Sequence, residues 1–145
     1  MHRPLKNLEA FQTEASSFVA SVYPGTSAAT LVTLSGELGA GKTTFVQCVA
    51  ETLGITDAVT SPTFVIEKVY EIQPGRGFTH LVHIDAYRLT TGAELLKLRF
   101  NEILKDPMNL IMLEWPERVK EVLPPADVQI TLQVTSEKTR TISYA

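Results

Sequence analysis

A three-layer α/β/α fold around a mixed, mainly parallel central sheet is predicted by three features of the sequence. First, Gly36-Glu37-Leu38-Gly39-Ala40-Gly41-Lys42-Thr43 carries two glycines separated by four residues and followed by Lys and Thr. Second, this stretch lies between a β-branched apolar run at 29–34 and a helical apolar pattern at 45–53. Third, a continuous apolar run at 109–113 ends abruptly on an acid, Glu114. Runs of that kind are strands buried on both faces, which occur in parallel sheets covered by helices. Strand, glycine loop and helix in this order is the phosphate-loop arrangement of nucleoside triphosphatases.

The elements follow in order along the chain. Leu8, Phe11, Ala15, Phe18, Val19 and Val22 form one stripe of an amphipathic helix, closed by Pro24-Gly25. After the glycine loop, Phe45, Val46, Val49, Ala50 and Leu53 recur at helical spacing, and Gly54 sits where a helix ends in a left-handed residue. A hydroxyl-rich loop follows at 56–63. Residues 64–70 and 78–84 are predicted to be strands of an antiparallel hairpin about the turn at 73–77. A helix is expected over 92–104, with Leu95, Leu96, Phe100, Ile103 and Leu104 inward, stopped at Asp106-Pro107. Pro116 suits the first turn of a short helix reaching Leu123. Val128, Ile130, Leu132 and Val134 alternate with polar residues, and 140–144 alternates again after Ser136-Glu137-Lys138, which predicts a closing hairpin.

The loop residue types suit phosphate chemistry. Glycines let the backbone curl and turn successive N–H groups toward an anion, and the helix start adds partial positive charge. The predicted nucleotide-binding residues are therefore Gly36, Glu37, Leu38, Gly39, Ala40, Gly41, Lys42, Thr43 and Thr44. Lys42 would meet the outer phosphates as a point charge, and the Thr43 hydroxyl would ligate Mg2+. Acids at strand ends often orient metal or water in such sheets, which nominates Asp85 and Glu114 beside Lys42 as catalytic. Glu114 is nominated for the metal as well. The alternative for Glu114 is a charge stabilising the following helix. The loop at Ser61-Pro62-Thr63 is either a solvated turn or a second phosphate contact of the switch type.

At 145 residues the chain has the size of one domain, taken as 1–145. Its net charge is −3 and no window is dominated by Lys and Arg, so direct tight nucleic-acid binding is not expected. No apolar run approaches the roughly eighteen residues that span a membrane, and the start lacks a secretory signal, so a cytoplasmic location is expected. The single cysteine, Cys48, is expected to be a small buried hydrophobe. His80 and His83 fall on opposite faces of one strand and cannot share a metal there. His83 and Asp85 share a face, where an acid–base pair is conceivable, although a structural His is favoured. An Asn-Lys-x-Asp motif for guanine is missing, which favours ATP over GTP.

With these residues in place, the chain resembles the TsaE family, formerly called YjeE. The likeness runs nearly end to end through four ordered motifs: Gly36 to Phe45, then Ser61-Pro62-Thr63-Phe64, then His83-Ile84-Asp85-Ala86-Tyr87-Arg88-Leu89, then Leu113-Glu114-Trp115-Pro116-Glu117-Arg118. The resemblance implies an accessory ATPase subunit, slow when alone, in tRNA threonylcarbamoyladenosine synthesis. It would bind ATP/ADP and Mg2+ and act on two partners, TsaB and TsaD, reaching tRNA only through them. It also implies Thr43 and Glu114 at magnesium, Thr63 and Asp85 lining the nucleotide site, and Trp115 close by. No role is assigned to Lys138 or Arg140, and no arginine finger is expected within the site. Two other classes compete: a small-molecule kinase, which would need an acceptor pocket and a lid, and a nucleotide-gated binding module without significant catalysis.

Overall fold

The computed structural model describes residues 2–56 and 66–145. Seven strands form one sheet in the order β1-β7-β6-β2-β5-β4-β3. Its centre is parallel: β6 (Val128–Val134), β2 (Thr30–Ser35), β5 (Asn109–Glu114) and β4 (His80–Asp85). The edges are antiparallel, β3 (Glu67–Glu71) on β4 at one side and β7 (Arg140–Tyr144) with β1 (His2–Leu5) at the other. Every residue of β5 is buried, as its unbroken apolar run requires of a strand covered on both faces.

Alternation along the strands sends side chains to two cores. Val32, Leu34, Leu110 and Met112 pack under α1 (Leu8–Ser21) and α2 (Lys42–Thr52), with Phe18 and Phe45 meeting edge to face at 5.7 Å. Leu31, Val82, Ile84, Ile111 and Leu113 face the other way, toward α3 (Gly92–Leu96) and α4 (Phe100–Leu104). Helix, sheet and helix make the three expected layers. Phe45 and Phe100 are fully buried, each contributing on the order of 2 to 3 kcal/mol of apolar transfer. Cys48 is buried in the first core, as expected of a small hydrophobe.

Three sequence expectations need correction. The single helix over 92–104 is two short helices, broken at Arg99, whose backbone is left-handed (φ 61°). Leu95 and Phe100 are five residues apart, which separates them by roughly 140° around one straight helix. The break turns both into the core and leaves Leu96 exposed. The short helix after Pro116 is two 3-10 turns, Pro116–Arg118 and Lys120–Val122, with fully buried Val119 between them. Finally, Leu8 was placed on the inner stripe of α1 but is 58% exposed at the first turn; Asn7 caps that turn by accepting from the Ala10 N–H at 2.9 Å. The edge strand β1 was not foreseen; it holds Pro4, which only an edge tolerates. The predicted hairpins are present, although residues 64 and 65 fall outside the described residues.

Candidate functional site

The parallel strands β2, β4 and β5 end on the same side of the sheet, where ligands of open α/β folds bind. In register, Glu114 stands opposite Leu34 on one side and Asp85 on the other. The chain leaves β2 through the glycine loop into α2, so the loop arches over the two acids. Between them lies a cleft of about 390 Å3, lined by Leu38, Gly39, Gly41, Lys42, Thr43, Thr44, Ile66, Asp85, Tyr87, Arg88, Glu114 and Trp115. Gly41 is left-handed (φ 102°), and a Cβ there would come within 2.7 Å of the Phe11 ring. No other residue allows the loop to turn into α2 against that ring.

Lys42 is only 5% exposed. Its ammonium donates to the Gly36 carbonyl, and to the Glu37 carbonyl at 3.0 Å, while the Trp115 ring centroid lies 4.1 Å away. Burial lowers the Lys42 pKa, and the nearby carboxylates of Glu114, Asp85, Glu117 and Glu37 oppose that shift. The charge is thus held on carbonyls and an aromatic face in little water. Trp115 is itself left-handed (φ 62°, ψ 53°), a costly conformation for a bulky residue, and the turn aims its ring across the loop lysine. Tyr87 packs on Trp115 at 5.0 Å, and the Arg118 guanidinium lies 5.5 Å from the Tyr87 ring.

Thr43, on the first turn of α2, donates to Glu114 at 3.0 Å from Oε2 and 3.2 Å from Oε1. His83 Nε2 meets the same Oε2 at 2.6 Å in a fully buried contact. His83 Nδ1 has no polar partner among the described residues. With a proton on Nε2 the ring donates to the Glu114 carboxylate. Asp85 Oδ1 accepts from the Tyr87 N–H at 3.0 Å.

Of the nominated residues, the structure brings Leu38, Gly39, Gly41, Lys42, Thr43, Thr44, Asp85, Glu114 and Trp115 to one cleft. Gly36 and Glu37 stand behind it and supply carbonyls to Lys42, and Ala40 is fully buried beneath the loop. Thr63 and the rest of the hydroxyl-rich stretch from Asp57 onward lie outside the described residues. The partner of His83 is Glu114 on the next strand, where the sequence offered Asp85. Two residues were missed, and Arg140, whose role the sequence left open, finds a partner. Arg88 and Tyr87 line the cleft, so an arginine does reach its wall. Arg140 donates to the Gly39 carbonyl at 2.9 Å. Tyr87 and Arg88 follow the strand-end acid Asp85 by two and three residues, a position that could have signalled them; the contact of Arg140 with Gly39, 101 residues away, has no local signal.

The family described as threonylcarbamoyl adenosine biosynthesis protein TsaE matches residues 5–142. Three curated proteins, each described as tRNA threonylcarbamoyladenosine biosynthesis protein TsaE, are similar to this chain. The one from Streptomyces coelicolor is 50% identical over 94 residues, 64% of this chain and 61% of that protein, so the match spans less than two thirds of that relative. The one from Bacillus subtilis is 39% identical over 114 residues, 79% of this chain and 68% of that protein. The one from Treponema pallidum is 37% identical over 115 residues, 79% and 81%. Among solved structures, the crystal structure of Bacillus subtilis YdiB is similar with a TM-score of 0.77 and 30% identity, over 99% of this chain and 83% of that one. This likeness over nearly the whole chain, with the mostly parallel seven-stranded sheet, supports the phosphate-loop triphosphatase type of fold.

Proposed function

The chain belongs to the TsaE family of tRNA threonylcarbamoyladenosine biosynthesis proteins, and from that premise we propose that it is a magnesium-dependent ATPase subunit whose bound nucleotide governs its grip on TsaB and TsaD in the cytoplasm. One observation carries the reading: Thr43 from the loop helix and Glu114 from the neighbouring strand end meet at 3.0 Å, beside Lys42.

The donor set suits magnesium. A hydroxyl and a carboxylate are hard oxygen ligands, and Mg2+ beside a nucleotide takes one or two protein oxygens and fills its octahedron with water and phosphate. Among the described residues no three His, Cys, Asp or Glu side chains form a ready metal cage, so affinity for the ion alone would be low. When bound, magnesium would neutralise charge on the outer phosphoryl oxygens.

The side chains divide the remaining work. Lys42 would exchange the carbonyls of Gly36 and Glu37 for phosphate oxygens, a stronger charge-assisted contact. Thr43 and Glu114 would hold the ion directly or through water. Asp85, next to Glu114 in register, would orient water or the metal shell. Helix α2 would present its first N–H groups to the phosphates. On the outer side of the loop, Leu5, Leu8, Phe11, Thr44 and Lys138 line a second groove with an apolar wall suited to a nucleoside.

A protein partner fits the surroundings better than nucleic acid does. Net charge is −3, and Leu38 (66% exposed) and Tyr87 (39%) set apolar surface at the cleft mouth for another protein to cover. The test is a pull-down of TsaB and TsaD with and without ATP, with turnover measured in parallel. ATP-dependent capture that is lost in Lys42→Ala, with turnover rising when both partners are added, is the expected result. Equal turnover with and without partners would refute the partner-stimulated part. ATP consumption that depended on a small metabolite would favour a kinase.

A further inference from the structure

We propose that Arg140, which lines the second groove beside Gly39 and not the cleft over Glu114, is a positioning residue for the phosphate loop that braces the peptide at Gly39; this deepens the ATP reading above and rests on it. The guanidinium spends its donors on backbone carbonyls of two segments. Nε donates to Gly39 at 2.9 Å, while Nη1 donates to Ser136 at 3.2 Å and Thr139 at 3.2 Å across the turn between β6 and β7. No carboxylate among the described residues lies within ion-pair distance of it.

Gly39 is a position in need of a brace. Its backbone is left-handed (φ 80°), and a Cβ built there would meet nothing within 4 Å, so neither bulk nor packing fixes it. The peptide joining Gly39 to Ala40 is instead held at both ends: its N–H donates to the Glu37 carbonyl at 3.1 Å, and its C=O accepts from Arg140. Because a peptide unit is planar, pinning both groups fixes the whole plane. The Glu37 carbonyl used there also receives the Lys42 ammonium, so this one plane helps set the parked position of the phosphate-binding lysine. Arg140 thereby lowers the ordering cost of forming the phosphate nest.

The test is competition binding on the full chain, displacing a fluorescent ATP analogue with Mg–ATP and with inorganic tripolyphosphate. Wild type is compared with Arg140→Ala and Arg140→Lys, and thermal unfolding is followed alongside. Arg140→Ala should weaken both competitors equally, by about tenfold for one charge-assisted hydrogen bond. Arg140→Lys should recover only part of this, since one ammonium cannot span both segments. The unfolding midpoints should stay close to wild type. Loss confined to ATP would mean a direct nucleoside contact and would overturn the brace. So would full recovery in Arg140→Lys, which would make charge alone the cause, or a binding loss matched by a loss of folded protein. Wild type that binds ATP while Arg140→Ala binds it equally sinks the brace alone. Wild type that binds neither competitor sinks the ATP reading and the brace with it.

Discussion

His83 Nε2 lies 2.6 Å from Glu114 Oε2, with the histidine fully buried and the carboxylate exposed only at the cleft floor. The contact is diagonal across the sheet: His83 stands opposite Met112, and its ring reaches the residue two further along β5. Asp85, directly opposite Glu114, turns an oxygen to the Tyr87 N–H instead. The strand-end carboxylate therefore takes its protein donors from His83 below and Thr43 above.

Removing the donor below should be costly. His83→Phe leaves a buried carboxylate short of its closest partner, which is expected to destabilise the fold by about 3 kcal/mol. His83→Gln keeps an N–H of similar reach and should lose roughly half of that. Urea unfolding at neutral pH measures both. Equal losses in the two variants would mean that ring packing, and not donation to Glu114, is what His83 supplies.

Lys42 gives a pH signature of opposite sense to an ordinary ion pair. Its folded pKa is lowered, chiefly by burial, so folding penalises the charged form. Between the lowered folded value and the ordinary lysine value the unfolded chain binds more protons, and stability rises with pH. Wild type should therefore gain stability relative to Lys42→Met as pH climbs toward 10.5. At neutral pH, Lys42→Met should be at least as stable as wild type while binding ATP about a hundredfold more weakly. The check is the difference in urea midpoints from pH 7.5 to 10.5; a difference that stayed flat or moved the other way would contradict the burial argument.

Trp115 is the sole tryptophan, so its emission reports on the stack running from Arg118 over Tyr87 and Trp115 to Lys42. Mg–ATP, by drawing the ammonium from the ring, should change that emission in wild type and leave it unchanged in Lys42→Met. Tyr87→Ala removes one wall of the indole and should raise quenching by acrylamide, at a stability cost of about 1 kcal/mol for the lost aromatic pair. Emission in wild type that ignored saturating Mg–ATP would mean the lysine stays on the indole.

What the sequence disclosed about this molecule was local. The glycine loop, the helix after it and the apolar strand ending in Glu114 are each contained within a dozen or so residues, and each matched. Spacing could not foresee contacts between distant segments. His83 and Glu114 are 31 residues apart, and Arg140 and Gly39 are 101 apart. Periodicity also failed where the chain departs from regular backbone, at Arg99 between α3 and α4, because an apolar pattern at helical spacing does not announce a left-handed residue inside it. The edge strand β1 failed for a further reason: it is four residues long, mostly exposed and contains Pro4, so no alternation marks it.

Outside the cleft lining, Tyr144 supplies a control in which stability and nucleotide binding separate. Its hydroxyl donates to Glu14 Oε2 at 2.6 Å, and its ring stacks on Phe18 at 6.4 Å, tying the last strand to α1. Arg3, 3.6 Å from the other Glu14 oxygen, is half exposed and contributes little. Tyr144→Phe keeps the stacking and strands the carboxylate of a residue only 8% exposed, a loss of about 1 to 2 kcal/mol. Burial, and then the bond to Glu14, raise the Tyr144 pKa well above the ordinary tyrosine value. A folded pKa above the unfolded one contributes stability that is fully present below the unfolded value and is lost as pH rises beyond it. The difference between wild type and Tyr144→Phe in urea should therefore be constant up to about pH 10 and shrink above it, while the two proteins bind ATP equally at neutral pH. A difference that persisted undiminished to pH 11 would show that the hydroxyl contributes nothing through its proton.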